Sequence, residues 1–400
     1  MRKLTFYAVI LNAVYILNLA AQSDYKQELI FPLQNKHVHS SSIVETPNGD
    51  LLAVWFYGSG ERTQSDVVIQ GSRLKSGSDK WETPFLMADT PKIPDCNPVI
   101  FIDAKKRLHL FWIAVLSNHW ENSLLRCKRS VDYNGPGAPH WQWQDDIILK
   151  PGDKFVRALE EGYKARIPDM PALDADFGGY TTSAMDQLIE AAKDMEKRQK
   201  GWMPRTHAQT LPNGRIILPL YSDGFYVGIM AISDDGGETW RASSPINGAL
   251  INQPSVVRKK NGDLVAYMRE EGESNRRKRV LVSYSEDDGE TWTPATYSDI
   301  PNPNSSLEVI ALHDGNWVMV YNDTEEGRNS LCAALSDNEG KTWKWKRHIE
   351  KHKGGAYHYP SVIQTQDGLI HMTYTYNNGK NPGKSIKHVS ISSNWITKGD

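Results

Sequence analysis

The chain has 400 residues, 39% of them apolar, and a formal net charge of −2. That length provides for a large core, and repeat folds of this size often form one unit. The balanced charge argues against a general nucleic-acid binder, and Cys96, Cys127 and Cys332 are too few and too widely spaced for a disulfide framework or a zinc site. They are expected to be buried thiols.

At the start, Met1-Arg2-Lys3 precedes a mostly apolar run over 4–19 and then Ala20-Ala21-Gln22-Ser23. A charged start, a short apolar stretch and small residues after it predict a secretory signal peptide over 1–21 rather than a membrane span. The mature chain, 22–400, is therefore expected in the periplasm or outside the cell, with no span left.

Along the chain one unit recurs: a short polar or Pro-containing entry, an apolar run, a turn, and a returning apolar run. The turns fall at Pro47-Asn48-Gly49, Ala104-Lys105-Lys106, Pro212-Asn213-Gly214, Lys260-Asn261-Gly262, His313-Asp314-Gly315 and Gln366-Asp367-Gly368. Asn-Gly and Asp-Gly between apolar runs are strong hairpin signals. One stretch, Lys154 to Trp202, breaks the rhythm. Within it Ser183–Lys200 predicts an amphipathic helix, with Ser183 and Asp186 as a capping box and Gly201 as a stop. It reads as an insertion between the second and third units, either a lid or a surface decoration.

The second half carries a phrase three times: Ser233 to Trp240, Ser285 to Trp292 and Ser336 to Trp343, with the template S-x-[DN]-x-G-x-T-W. Degraded copies end at Trp81 and Trp141. Successive tryptophans 52 and 51 residues apart mark a repeat array. The expected fold is all-β: a six-bladed propeller of four-stranded blades, closed by a strand from the other end of the chain.

Nine or ten residues before each turn, the six inner strands present His39 with Ser40, Asn97, Arg205 with His207, Gln253, Asn304 with Ser306, and Tyr359. All are polar, in strands that are otherwise apolar. Burying such a ring is costly unless it faces water or a ligand, so a polar central pocket is expected. Arg269 ends the return strand of blade four, where other copies carry Phe56 or Tyr221, and Arg328 precedes a strand of blade five. With Arg205 they predict a grip on a carboxylate or sulfate. The run Arg276 to Arg279 reads as a solvated hairpin tip or a polyanion contact. His109, His313 and His371 are expected to pack or hydrogen-bond. His348, His352 and His358 are scattered without metal spacing, so neither a metal nor a cofactor is expected.

The repeated phrase resembles the Asp boxes of sialidases and sialidase-like six-bladed propellers, and the resemblance runs from His39 to about Val389. It implies a tyrosine nucleophile at Tyr359, the second and third carboxylate-binding arginines at Arg269 and Arg328, and an acid at Glu61 or Asp66. Two positions depart from the pattern. His39 stands where the first arginine is expected, and Gln253 where a glutamate would activate the tyrosine; a glutamine takes no proton. A phenol that ionises only near pH ~10 is a poor nucleophile without a base. These departures turn the reading toward β-elimination. Arginines would neutralise a uronate carboxylate, His39 and Tyr359 would act as base and acid in either order, His207 would be in reserve, and Asn97 and Gln253 would bind the sugar. The chain is also similar to oligosaccharide dehydratases of marine ulvan-degrading bacteria. The leading expectation is a secreted monomeric dehydratase acting on the terminal uronic acid of an anionic oligosaccharide. An exo-sialidase and a non-catalytic glycan-binding propeller are the alternatives.

Overall fold

The computed structural model describes residues 24–166, 180–271 and 277–400. The expected signal peptide and Arg276 lie outside them. Six antiparallel sheets form six blades, and the helical insertion falls between the second and third, as expected. The innermost strands are His37–Glu45, Asp95–Ile102, Ile251–Arg258, Glu308–Ala311 and Ala356–Gln364, with a broken one in blade three, Met203–Pro204 and Gln209–Thr210. Both pieces of the broken strand pair with Ile216–Ser222. The outer strand of blade six is Tyr25–Leu29, paired along Lys384–Ile391, so the two ends of the chain close the ring.

Each Asp box is a side-chain knot. The Asp235 carboxylate accepts from the backbone of Glu238 and Thr239 and from the hydroxyls of Ser233 and Thr239. These bonds favour the ionised form and hold it well below the usual carboxylate range, against the opposing effect of burial. Asp287 and Asn338 repeat the pattern. The glycine of the box allows close approach to the neighbouring blade. Gly340 has φ of 78°, and a Cβ there would lie 2.1 Å from the hydroxyl of Tyr267 in blade four. The tryptophan that follows, Trp343, meets Tyr267 edge-on, as Trp240 meets Phe111 of blade two. A box thus seals its own blade and wedges an aromatic ring against the preceding one.

Near the axis, buried serines join blade to blade. Ser42 accepts from the Ile100 amide, Ser255 from Val309 and Ser361 from Ile43. Cys96, Cys127 and Cys332 are buried thiols, as the sequence led us to expect.

The insertion differs from the single predicted helix. Helix α1 spans Asp153–Arg166, α2 Tyr180–Lys193 and α3 Met195–Arg198. The predicted start at Ser183 falls inside α2, which runs from Tyr180. The break comes at Asp194, whose extended backbone interrupts the apolar stripe and whose side chain caps α3 through the Glu196 amide. Helix α1 buries Phe155, Leu159 and Tyr163 against the blades, and the Tyr163 hydroxyl donates to the Phe225 carbonyl.

Candidate active site

The polar ring predicted from register is a ring of bulges. The inner strands of blades one, two, four and six shift register at His39/Ser42, Cys96/Val99, Asn252/Ser255 and His358/Ser361. In five blades one non-glycine residue is left-handed: Ser40 (φ 56°), Asn97 (49°), Gln253 (55°), Asn304 (59°) and Tyr359 (50°). A bulge turns a side chain off the strand, here at a strain of roughly 1–3 kcal/mol per residue. Blade three breaks its strand instead, and Arg205, Thr206 and His207 lie in the gap.

Tyr359 is the centre of the first mouth of the channel, where the inner strands begin. The guanidinium carbons of Arg205, Arg269 and Arg328 lie 4.9, 5.7 and 5.7 Å from its ring centre. His39 packs against it at 4.2 Å between ring centres and bonds Thr375 through Nδ1 at 2.9 Å. Among the described residues the Tyr359 hydroxyl makes no hydrogen bond. Arg269 and Arg328 share one acceptor, the carbonyl of Asn304, at 3.3 and 2.6 Å, which holds them side by side. Arg269 also pairs with Glu271 at 3.0 Å, and Arg328 with the ring of His358 at 3.0 Å. Burial, then the charge of Arg328, pushes His358 down to about 3. Burial, then His358, His37, Arg328 and Arg205, holds His39 well below its ordinary value. Both imidazoles are therefore neutral at working pH.

The other candidates separate. Asn97 and Gln253 both donate to the Tyr221 hydroxyl, at 3.0 and 3.3 Å, so they furnish the wall beside Tyr359. Glu61 sits on the rim, 3.0 Å from His37, whose ring lies 5.8 Å from His39. Asp66 is turned away, tied to the amide and hydroxyl of Ser59. Arg205 lies beneath the ring rather than beside the other arginines, with both Nη atoms on backbone carbonyls. His207 lies at the far mouth, beside the hairpin turns. Its Nε2 donates to the Ile43 carbonyl at 2.7 Å and its Nδ1 faces the Glu308 carboxylate at 3.0 Å. An acceptor beside each nitrogen favours the imidazolium form. Burial pushes it down, but the charge of Glu308 outweighs that and raises it. The basic hairpin tip is paired off: Lys278 with Glu326, Arg279 with Glu325, and Arg277 stacked on Tyr297.

Register reasoning missed four groups. Tyr221 reads in the sequence only as the counterpart of Arg269. His358 reads as one of several scattered histidines, although it adjoins Tyr359. Glu308 is a lone carboxylate in the apolar run Leu307 to Ile310, a signal of burial with a partner. Asp223 accepts from Asn252, which also donates to Glu271. Burial, then the charge of Glu271, pushes Asp223 up to about 6. It also lines a cavity of about 560 Å³ between blade three and the insertion, with Trp120, Phe225, Tyr226, Lys197 and Lys200.

A description of the BNR repeat-like domain matches residues 49–160 and 196–372, more than half of the chain. The chain belongs to the BNR repeat-like domain family. Among the proteins that the BNR propeller is similar to are a sialidase of Micromonospora viridifaciens, 24% identical over 183 residues (43% of this chain and 26% of that one), and a sialidase of Paraclostridium sordellii, 31% identical over 133 residues (29% and 31%). The chain thus spans about a third or less of the length of these curated relatives. A solved leech intramolecular trans-sialidase superposes with a TM-score of 0.67 at 14% identity, covering 93% of this chain and 71% of that one, which shows a shared fold. These relatives overturn the dehydratase expectation, and with it the assignment as a lyase acting on ulvan-type uronate. Of the proton carriers named for elimination, the structure packs His39 and Tyr359 together and places His207 across the channel, facing Glu308.

Proposed function

We propose that this propeller is a glycoside hydrolase of the sialidase type, which removes a terminal carboxylated sugar from an anionic glycan. The observation that carries the reading is the pair Arg269 and Arg328, both donating to one carbonyl beside Tyr359. Two planar forks side by side suit a carboxylate. A sugar gripped there presents its anomeric carbon over the phenol. Tyr359 oxygen attacks that carbon as the glycosidic bond breaks, and water later releases the sugar. Negative charge developing on the phenol is offset by the surrounding guanidiniums. Gln253 cannot take the phenol proton, which passes to solvent water, while neutral His39, packed 4.2 Å from the ring, holds the phenol in place. Glu61, on the rim, donates a proton to the leaving oxygen. The propeller acts as a monomer, exported under the leader 1–21.

The test is release of free sialic acid from a fluorogenic α-ketoside. Wild type should turn over, Tyr359→Phe should not, and His39→Ala should fall with it. No release from any carboxylated glycoside would remove the reading. Retained binding of the free sugar would then favour a glycan-binding propeller, which the glutamine at position 253 already suits.

A further inference from the structure

Arg205 stands apart from its two neighbours in what it touches. Its side chain is 1% exposed, and its guanidinium lies inside the channel. One Nη donates to the Ser41 carbonyl of blade one at 3.3 Å and the other to the Pro360 carbonyl of blade six at 2.9 Å. Those two residues directly follow the left-handed Ser40 and Tyr359. One planar fork therefore clasps the two bulges that carry His39 and Tyr359, the rings packed 4.2 Å apart. Behind it lies Glu308 of blade five, tied to two other blades: its carboxylate accepts from the amides of His207 in blade three and Val362 in blade six at 2.8 and 2.7 Å and faces the His207 ring. The Arg205 guanidinium itself lies buried 4.9 Å from the centre of the phenol ring.

We infer that Arg205 is a positioning residue: it fixes the separation of Tyr359 and His39 from below and does not touch the sugar. The role in turnover rests on the hydrolase reading; the role in geometry does not. A lysine cannot replace it, because a single ammonium does not present two parallel donors to carbonyls on different blades. Loss of the clasp lets the two bulges relax independently, and a displacement of about 1 Å at a reacting group lowers turnover about 100-fold.

The experiment pairs Arg205→Lys with Arg269→Lys in the full chain. For Arg205→Lys we expect kcat to fall about 100-fold with KM within about threefold, and a crystal structure in which the His39–Tyr359 separation has opened. For Arg269→Lys we expect KM to rise about tenfold or more. In a Tyr359→Phe background, Arg205→Lys should lower the residual rate no further. A KM rise in Arg205→Lys matching that of Arg269→Lys would make Arg205 a substrate ligand and overturn the inference. So would an unchanged ring separation in the crystal. If the lysine variant fails to fold, Arg205→Gln, which keeps a donor for Pro360, is read by the same outcomes. If wild type hydrolyses nothing, the hydrolase reading falls and the ring separation alone decides the inference.

Discussion

The two mouths of the central channel are built from the same six strands, yet they are opposite in character. At the first mouth five residues are held in left-handed backbone, and three guanidiniums crowd one phenol. Polar atoms there, among them Gln253 Oε1 and Arg269 Nε, are buried without a partner among the described residues. At the far mouth the carboxylate of Glu308 accepts from two amides and faces the His207 ring. Left-handed backbone and crowded guanidiniums at one end, and a carboxylate held by amides of two other blades at the other, separate a surface suited to chemistry from one suited to holding the ring together.

Substitutions can break that contrast. Tyr359→Phe should abolish turnover, about 1000-fold or more, with an unchanged thermal midpoint; loss of stability as well would blur the distinction. His207→Ala should do the reverse. It leaves Glu308 buried and unpaired, a destabilisation of about 3–5 kcal/mol by urea titration, while the folded fraction keeps its KM. Arg328→Met removes one fork from the proposed carboxylate grip, and KM should rise about 10- to 100-fold. Gly340→Ala tests the seams between blades rather than either mouth. A side chain at φ of 78° and 2.1 Å from Tyr267 should lower stability by about 1–3 kcal/mol without touching KM.

The smallest effect sharpens the first mouth alone. His358 is neutral in the folded protein and held down to about 3, whereas unfolded it binds a proton below its ordinary value near ~6.5. Its contribution is therefore fully present above that pH and is lost progressively as pH falls toward 3. His358→Gln should flatten the decline of the thermal midpoint between pH 6.5 and 3; an identical slope would show that other groups govern it.

Much of this was written in the sequence as periodicity. The repeat set blade number and register, and register alone picked out the residues that proved to be bulges, because a polar side chain in an apolar inner strand is rare. What register could not supply was depth along the axis. Arg205 and His207 are two residues apart, and the broken strand of blade three sends one under Tyr359 and the other to the far mouth. Helix α1 left a trace in Phe155, Leu159 and Tyr163, spaced to share one face, yet the stretch was read only as part of an insertion. The α2–α3 break was hidden because hydrophobic spacing runs straight through Asp194. Glu271 and Asn252 gave no signal, since their meaning lies in Asp223, which approaches from another blade.

The strand Tyr25–Leu29 is the first of the described elements to leave the ribosome and the last to find its place. Until Lys384–Ile391 is made, this strand has no neighbour, and its open backbone edge invites pairing with another molecule. Folding of this ring is thus a race between the tail reaching its own beginning and a stranger reaching it first, and dilution or a holding chaperone should favour the tail.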